Sequence, residues 1–382
     1  MNRRAFLASS IAGLATGLRG AAEPESISVA ERDAMEAVAV RFLKKHDVPG
    51  LSVAIAVDGQ IVYADGFGYA NKATKETVTS QHLFRVASVS KTFTSVTIMR
   101  LLEDGKIRLA DRVFGPEGVL GIDFGKPPYK PYVEDVTVDH LLTHTAGGWG
   151  NESHDPAFQH SKMDRHDVIS WGISESPLQH PPGMRFSYSN FGYLILGRVI
   201  EKLTGQPYDA AVQKYVLNEC GIENMRIAEN ALAERSPNEA VYYGPRLQIK
   251  SIGDIDLHLG GGPYDTNVHR LDAAVGWVAT SADLVKFMVK VGLATTPHIL
   301  QPETIRLMTT PTAANPAYAK GWDVERETVF GHFGGLPGTV SEVRRHDRYC
   351  WAVLANTNNA EAARDLGYVA PNMLHKVRAW LT

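Results

Sequence analysis

Apolar residues first recur at helical spacing over residues 28–46, where Met35, Val38, Phe42 and Leu43 share one side and Pro49-Gly50 ends the run. The period then changes to that of a strand. Two β-rich runs, 51–57 and 60–64, flank Asp58-Gly59 and predict a hairpin, which Gly66-Phe67-Gly68-Tyr69-Ala70 prolongs. From Ala87 to about Asn267 the pattern is helical or loop-like. Val89, Phe93, Val96, Leu101 and Leu102 mark a helix stopped by Gly105. Residues 138–144 form a short one, and 193–203 a third, stopped by Gly205 and Pro207. The stretch 147–182, rich in His, Ser, Asp and Pro, reads as loop with one short helix at 167–172. Thr280-Ser281-Ala282-Asp283 caps a helix over 284–291. Strand patterns return at 328–332, 338–344 and 350–356, and a helix over 371–380 closes the chain.

Strands at both ends with helices between predict an α/β (α+β) fold: an antiparallel sheet built from both termini, flanked by helices, with a mainly helical region inserted. The expected division gives 23–86 and 270–382 to the sheet region and 87–269 to the insertion. The 382 residues suffice for a large core, and 44% hydrophobic with 21% charged residues is ordinary for a globular protein. A net charge of -3 without a long basic run argues against nucleic acid as partner. Cys220 and Cys350 make neither a metal pattern nor a disulfide framework, leaving room for one bridge at most. Arg3-Arg4-Ala5-Phe6-Leu7, a modestly apolar run to Leu18 and Arg19-Gly20-Ala21-Ala22-Glu23 read as a twin-arginine-type signal peptide over 1–22, cleaved near Ala22. The apolar run falls short of the roughly 20 residues that span a bilayer. The expectation is a periplasmic or secreted protein with no stable membrane anchor after cleavage.

The chemistry concentrates at Ser88-Val89-Ser90-Lys91. Residues three apart on a helix are neighbours, so the Ser88 hydroxyl and the Lys91 amine share a face. A serine is a weak nucleophile without an adjacent base, and a desolvated lysine can be that base. The helix N-terminus also turns unpaired N–H groups toward an oxyanion at Ser88. The competing reading is an N-cap serine, but a capping box would carry Glu or Gln where Lys91 stands. Two further segments follow: Tyr188-Ser189-Asn190 beside Pro181-Pro182-Gly183, and Gly331-His332-Phe333-Gly334-Gly335 after a strand pattern, whose glycines imply close backbone approach.

Together with Leu141-Leu142-Thr143-His144-Thr145-Ala146-Gly147-Gly148, these segments resemble the serine β-lactamase-like family, which includes class C β-lactamases, D-alanyl-D-alanine carboxypeptidases (penicillin-binding proteins), D-aminopeptidases and related esterases. S-x-x-K, Y-x-N and H-x-G stand in the family's order, and the resemblance runs from about Val29 to Leu381. It implies Ser88 as nucleophile, Lys91 as its base and Tyr188 as the proton shuttle to the leaving group. Asn190 would hold Lys91 and substrate, and His332, Gly334 and Gly335 would line the substrate, with the Ser88 and Gly335 N–H groups as oxyanion hole. No cofactor is implied. A Lys91 cation would favour ionised Tyr188.

The third motif departs from Lys-Thr-Gly. Phe333 donates no hydrogen bond and neutral His332 offers no fixed charge, so the expectation is weak β-lactam turnover and a preference for esters or amides without a carboxylate, unless Arg246 or Arg270 supplies the charge. The alternatives are a β-lactamase or D-alanyl-D-alanine carboxypeptidase, and a non-catalytic penicillin-binding-like sensor. His140 and His144 have helical zinc spacing, but no H-E-x-x-H and no third ligand, so no metal is expected. His258-Leu259-Gly260-Gly261-Gly262 resembles an α/β-hydrolase oxyanion loop, yet no G-x-S-x-G elbow occurs.

Overall fold

The computed structural model describes residues 27–151, 155–244, 247–248, 260–292 and 298–381. The expected signal peptide, Arg246, His258 and Leu259 lie outside the described residues.

Seven strands form the main sheet: β1 (Gly50–Val57), β2 (Gln60–Asn71), β3 (Glu76–Thr77), β4 (Asp323–Arg326), β5 (Val329–Leu336), β6 (Thr339–His346) and β7 (Tyr349–Ala355). Their order is β3-β2-β1-β7-β6-β5-β4, antiparallel throughout. The two ends of the chain meet where β1 pairs with β7, from Leu51 opposite Ala355 to Val57 opposite Tyr349.

Both faces of this sheet are covered, so every residue of β1 is buried. Leu51, Val53, Ile55 and Val57 face one apolar cluster, shared with Met35, Val38, Ala39 and Phe42 of helix α1 (Val29–His46) and with Leu366, Met373 and Trp380 near the C-terminus. The small Ala54 and Ala56 face the other, larger cluster, which holds the inserted helices. Ser28 and Glu31 close a full capping box at the start of α1.

Two expectations need correction. The glycines 331, 334 and 335 lie inside β5 and not in a turn after it; the turn is Pro337-Gly338. The last helix does not run over 371–380. It covers Val369–Leu374 and gives way to a 3-10 turn at Arg378–Trp380, which brings Val377 and Trp380 into the apolar cluster. Cys220 and Cys350 are both free and buried, so the bridge left open is not formed, and burial pushes each thiol up to about 12. Among the described residues no helix is long and apolar enough to cross a membrane.

Candidate active site

A bend sets up the nucleophile candidate. The short strand Phe84–Arg85 pairs with Trp277–Ala279, and two residues later Ala87 takes φ +47°, a left-handed conformation that side chains seldom adopt. The chain then makes a 3-10 turn, Ala87–Val89, and continues as helix α2 (Ser90–Glu103). Ser88 therefore stands just ahead of the α-helix and caps nothing. Its Oγ instead lies 3.1 Å from Lys91 Nζ.

Helix α2 is buried almost all round, and its polar residues are satisfied internally: Thr92 donates to Val89 O, Thr94 to Ala273 O and Thr97 to Phe93 O. Lys91 is fully buried among them. Its Nζ meets Asn190 Oδ1 at 2.7 Å and Ala274 O at 3.0 Å besides Ser88. Both of those oxygens only accept. A neutral amine donates to them with its two N–H bonds and leaves its lone pair for the Ser88 hydroxyl. Desolvation favours that neutral form, bringing Lys91 down to about 7, while the Asp155 carboxylate pulls the other way.

Tyr188 lies over the same amine, its ring centroid 4.8 Å from Lys91 Nζ, and its hydroxyl hydrogen-bonds Ser88. Burial holds the phenol well above its ordinary range, and the Ser88 bond opposes this only in part. Desolvation is the largest influence on both groups, favouring a neutral Tyr188 and a readily neutralised Lys91. Asn190 opens helix α3 (Asn190–Thr204), with Ser189 as N-cap through a 2.9 Å bond from Gly192 N, so the Tyr-x-Asn segment converges on Lys91.

His332 is buried on β5 and joined to the His144 segment through Tyr318. The Ser189 N–H donates to His144 Nδ1 at 3.0 Å, so His144 carries its proton on Nε2, toward Tyr318 Oη at 3.1 Å. The Phe333 carbonyl stands 2.6 Å from His332 Nδ1, which must be protonated, leaving His332 Nε2 to accept from Tyr318 at 3.2 Å. Burial lowers both imidazoles, His144 strongly, so neither brings a fixed charge. His140 Nδ1 accepts from Thr137 N in a short capping box.

Gly334 is where β5 touches the Ser88 turn. A Cβ there would overlap Ser341 Oγ and Val86 O and stand 3.1 Å from Ser88 N. Next to it, register orients Gly335. The two-residue turn makes Leu336 and Thr339 a bonded pair, so bonding alternates back along the strand and the Phe333 and Gly335 N–H groups point to the outer edge. Phe333 N accordingly reaches Asp323 Oδ2, at 3.4 Å. The same alternation sends the Phe333 side chain to the α1 face, away from Ser88, so the inference drawn from its missing hydrogen bond loses its ground. Arg270 is likewise no candidate for a substrate carboxylate: its guanidinium is used by the carbonyls of Ala157, Gln159, His160 and Met163.

Sequence reasoning missed Asp155, Tyr318 and the Ala274 carbonyl. Asp155-Pro156 carries a cap signal for a short turn, nothing more. A backbone carbonyl carries no signal at all.

Residues 33–371 match the model of the Beta-lactamase family. The chain belongs to that family. Protein flp of Staphylococcus aureus (strain NCTC 8325 / PS 47) is 25% identical over 327 residues, covering 83% of this chain and 61% of that protein, so this chain spans less than two thirds of its length. Penicillin-binding protein 4 of Amycolatopsis lactamdurans is 25% identical over 317 residues, 78% of each chain. The D-amino acid amidase from Ochrobactrum anthropi SV3 superposes with a TM-score of 0.71 at 21% identity, over 91% of this chain and 98% of that one, and so shares the fold. These likenesses cover both the sheet and the inserted region.

Proposed function

We propose that this chain is a serine hydrolase that acts through an acyl-Ser88 intermediate on a carboxylic ester or a small peptide-like amide. The observation that carries this is the buried Lys91 amine, brought to about 7 and aimed at Ser88 Oγ from 3.1 Å. Neutral Lys91 takes the Ser88 proton as Oγ attacks the carbonyl carbon. The Ser88 and Gly335 N–H groups receive the oxyanion, each such donor contributing about 10²–10³ in rate. The Tyr188 hydroxyl gives its proton to the departing oxygen or nitrogen and is recharged from Lys91. Water then enters, the same groups relay its proton, and the acid leaves as Ser88 Oγ is protonated again. Asn190 keeps Lys91 in place, and His332, Gly334 and Gly335 border the acyl group.

The division at 86/87 and 269/270, with the cleft between sheet region and insertion, belongs to this proposal, as does export by the twin-arginine leader. Replacing Arg3 and Arg4 by lysine should then leave a reporter fusion inside the cell; unchanged export removes the leader assignment.

A second reading, β-lactamase or D-alanyl-D-alanine carboxypeptidase, is favoured by the penicillin-binding relative. Hydrolysis of a short p-nitrophenyl ester and a chromogenic cephalosporin, by wild type and Ser88→Ala, separates the two. Ester turnover lost in the mutant with little cephalosporin turnover supports the first reading, and fast cephalosporin turnover the second. Rates unchanged in Ser88→Ala sink both. Ser88 labelled by a phosphonate without turnover of any substrate would mark a sensor.

A further inference from the structure

Asp155 is a buried carboxylate with four N–H donors around it. Oδ1 accepts from Ala157 N at 3.0 Å and Phe191 N at 3.1 Å; Oδ2 accepts from Asn190 N at 2.6 Å and Asn190 Nδ2 at 3.3 Å. A carboxylate has about four lone-pair sites, so its capacity is filled. Asn190 N and Phe191 N are first-turn amides of α3, which lack partners within the helix and carry the positive end of its dipole.

The fourth bond reaches further. With Nδ2 committed to Asp155, Asn190 can only present Oδ1 to Lys91, as found at 2.7 Å. A flipped amide would set NH₂ against the Lys91 amine and oxygen against the carboxylate. Around Lys91 stand Asp155, His144, His332 and the rings of Tyr188 and Tyr193. Burial keeps both histidines and both tyrosines uncharged, so Asp155 is the counter-charge to Lys91 among these groups.

We propose that Asp155 is a positioning residue that fixes the Asn190 amide against Lys91 and, through its charge, sets the pH at which Lys91 can take the Ser88 proton. This rests on Lys91 acting as the base. Burial raises Asp155 to about 6 against the opposing pull of its hydrogen bonds and Lys91, so its carboxylate is mostly ionised above that pH. An ionised Asp155 holds the proton on Lys91; removing the charge releases it at lower pH.

The test is the pH dependence of kcat/KM for a p-nitrophenyl ester in wild type, Asp155→Asn, Asp155→Ser and Asp155→Glu, with Tm measured in parallel. Asp155→Asn sets an NH₂ against N–H donors, and should lower kcat/KM roughly 10–100-fold and move the rising limb about one pH unit lower. Asp155→Ser also drops the charge but keeps an oxygen for the helix amides, so it reads the shift if the Asn variant does not fold. Asp155→Glu retains the charge and should keep the limb near its wild-type position despite a lower rate. A lowered Tm with the limb unmoved in the Asn or Ser variant overturns the proposal and leaves a helix cap. A wild type with no rising limb overturns the reading of Lys91 as base.

Discussion

Asn190 Oδ1 accepts from Lys91 Nζ at 2.7 Å, so the second sequence motif grips the amine of the first. That bond uses one of the amine's two hydrogens, and the Ala274 carbonyl uses the other. The direction of the Lys91 lone pair, toward Ser88, follows from these two acceptors.

Activity should therefore rise with pH through about 7. Below that value Lys91 holds a third proton and has no lone pair to offer; above it the amine is neutral. A plot of kcat/KM against pH for a neutral ester should show this single rising limb. Lys91→Arg, whose guanidinium stays protonated at every working pH, should lose the rate by about 10²–10⁴-fold and show no recovery on raising the pH.

Tyr188→Phe should discriminate between leaving groups. In the proposed mechanism the phenol, which burial favours in its neutral form, is the proton donor to the departing atom. A nitrophenolate leaves without protonation, whereas an amine does not. Amide hydrolysis should fall by about 10²–10⁴-fold and p-nitrophenyl ester hydrolysis by much less. Equal losses on both substrates would remove Tyr188 from that role.

Gly334→Ala should damage the site through the backbone. The added methyl overlaps Val86 O and Ser341 Oγ, forcing β5 away from the Ser88 turn. Because the proposed oxyanion donors, Ser88 N and Gly335 N, lie one on each side of that contact, kcat should drop with little change in KM, by about 10²-fold if one donor is lost. Comparison of the two kinetic constants checks this.

Tyr318→Phe should act on stability. The hydroxyl satisfies the buried His144 Nε2 and His332 Nε2. Leaving them unpaired should cost about 2 kcal/mol, read as a Tm several degrees lower.

The sequence alone determined the strand and helix periods, the hairpin at Asp58-Gly59 and the one-turn proximity of Ser88 and Lys91, because each depends on neighbours within a few residues. The order of the three motifs was enough to expect the family. Only the tertiary structure decided what those residues are chemically. Lys91 is brought down to about 7 and Tyr188 kept protonated by desolvation, which depends on how completely α2 and α3 are enclosed by chain from elsewhere. Asp155 and Tyr318 join the site through bonds to residues 35 and 174 positions away, Asn190 and His144. The facing of Phe333 was settled by strand alternation within a sheet whose register no local pattern states. Local propensity acts over a turn, whereas burial and long-range pairing exist only once the chain has closed on itself.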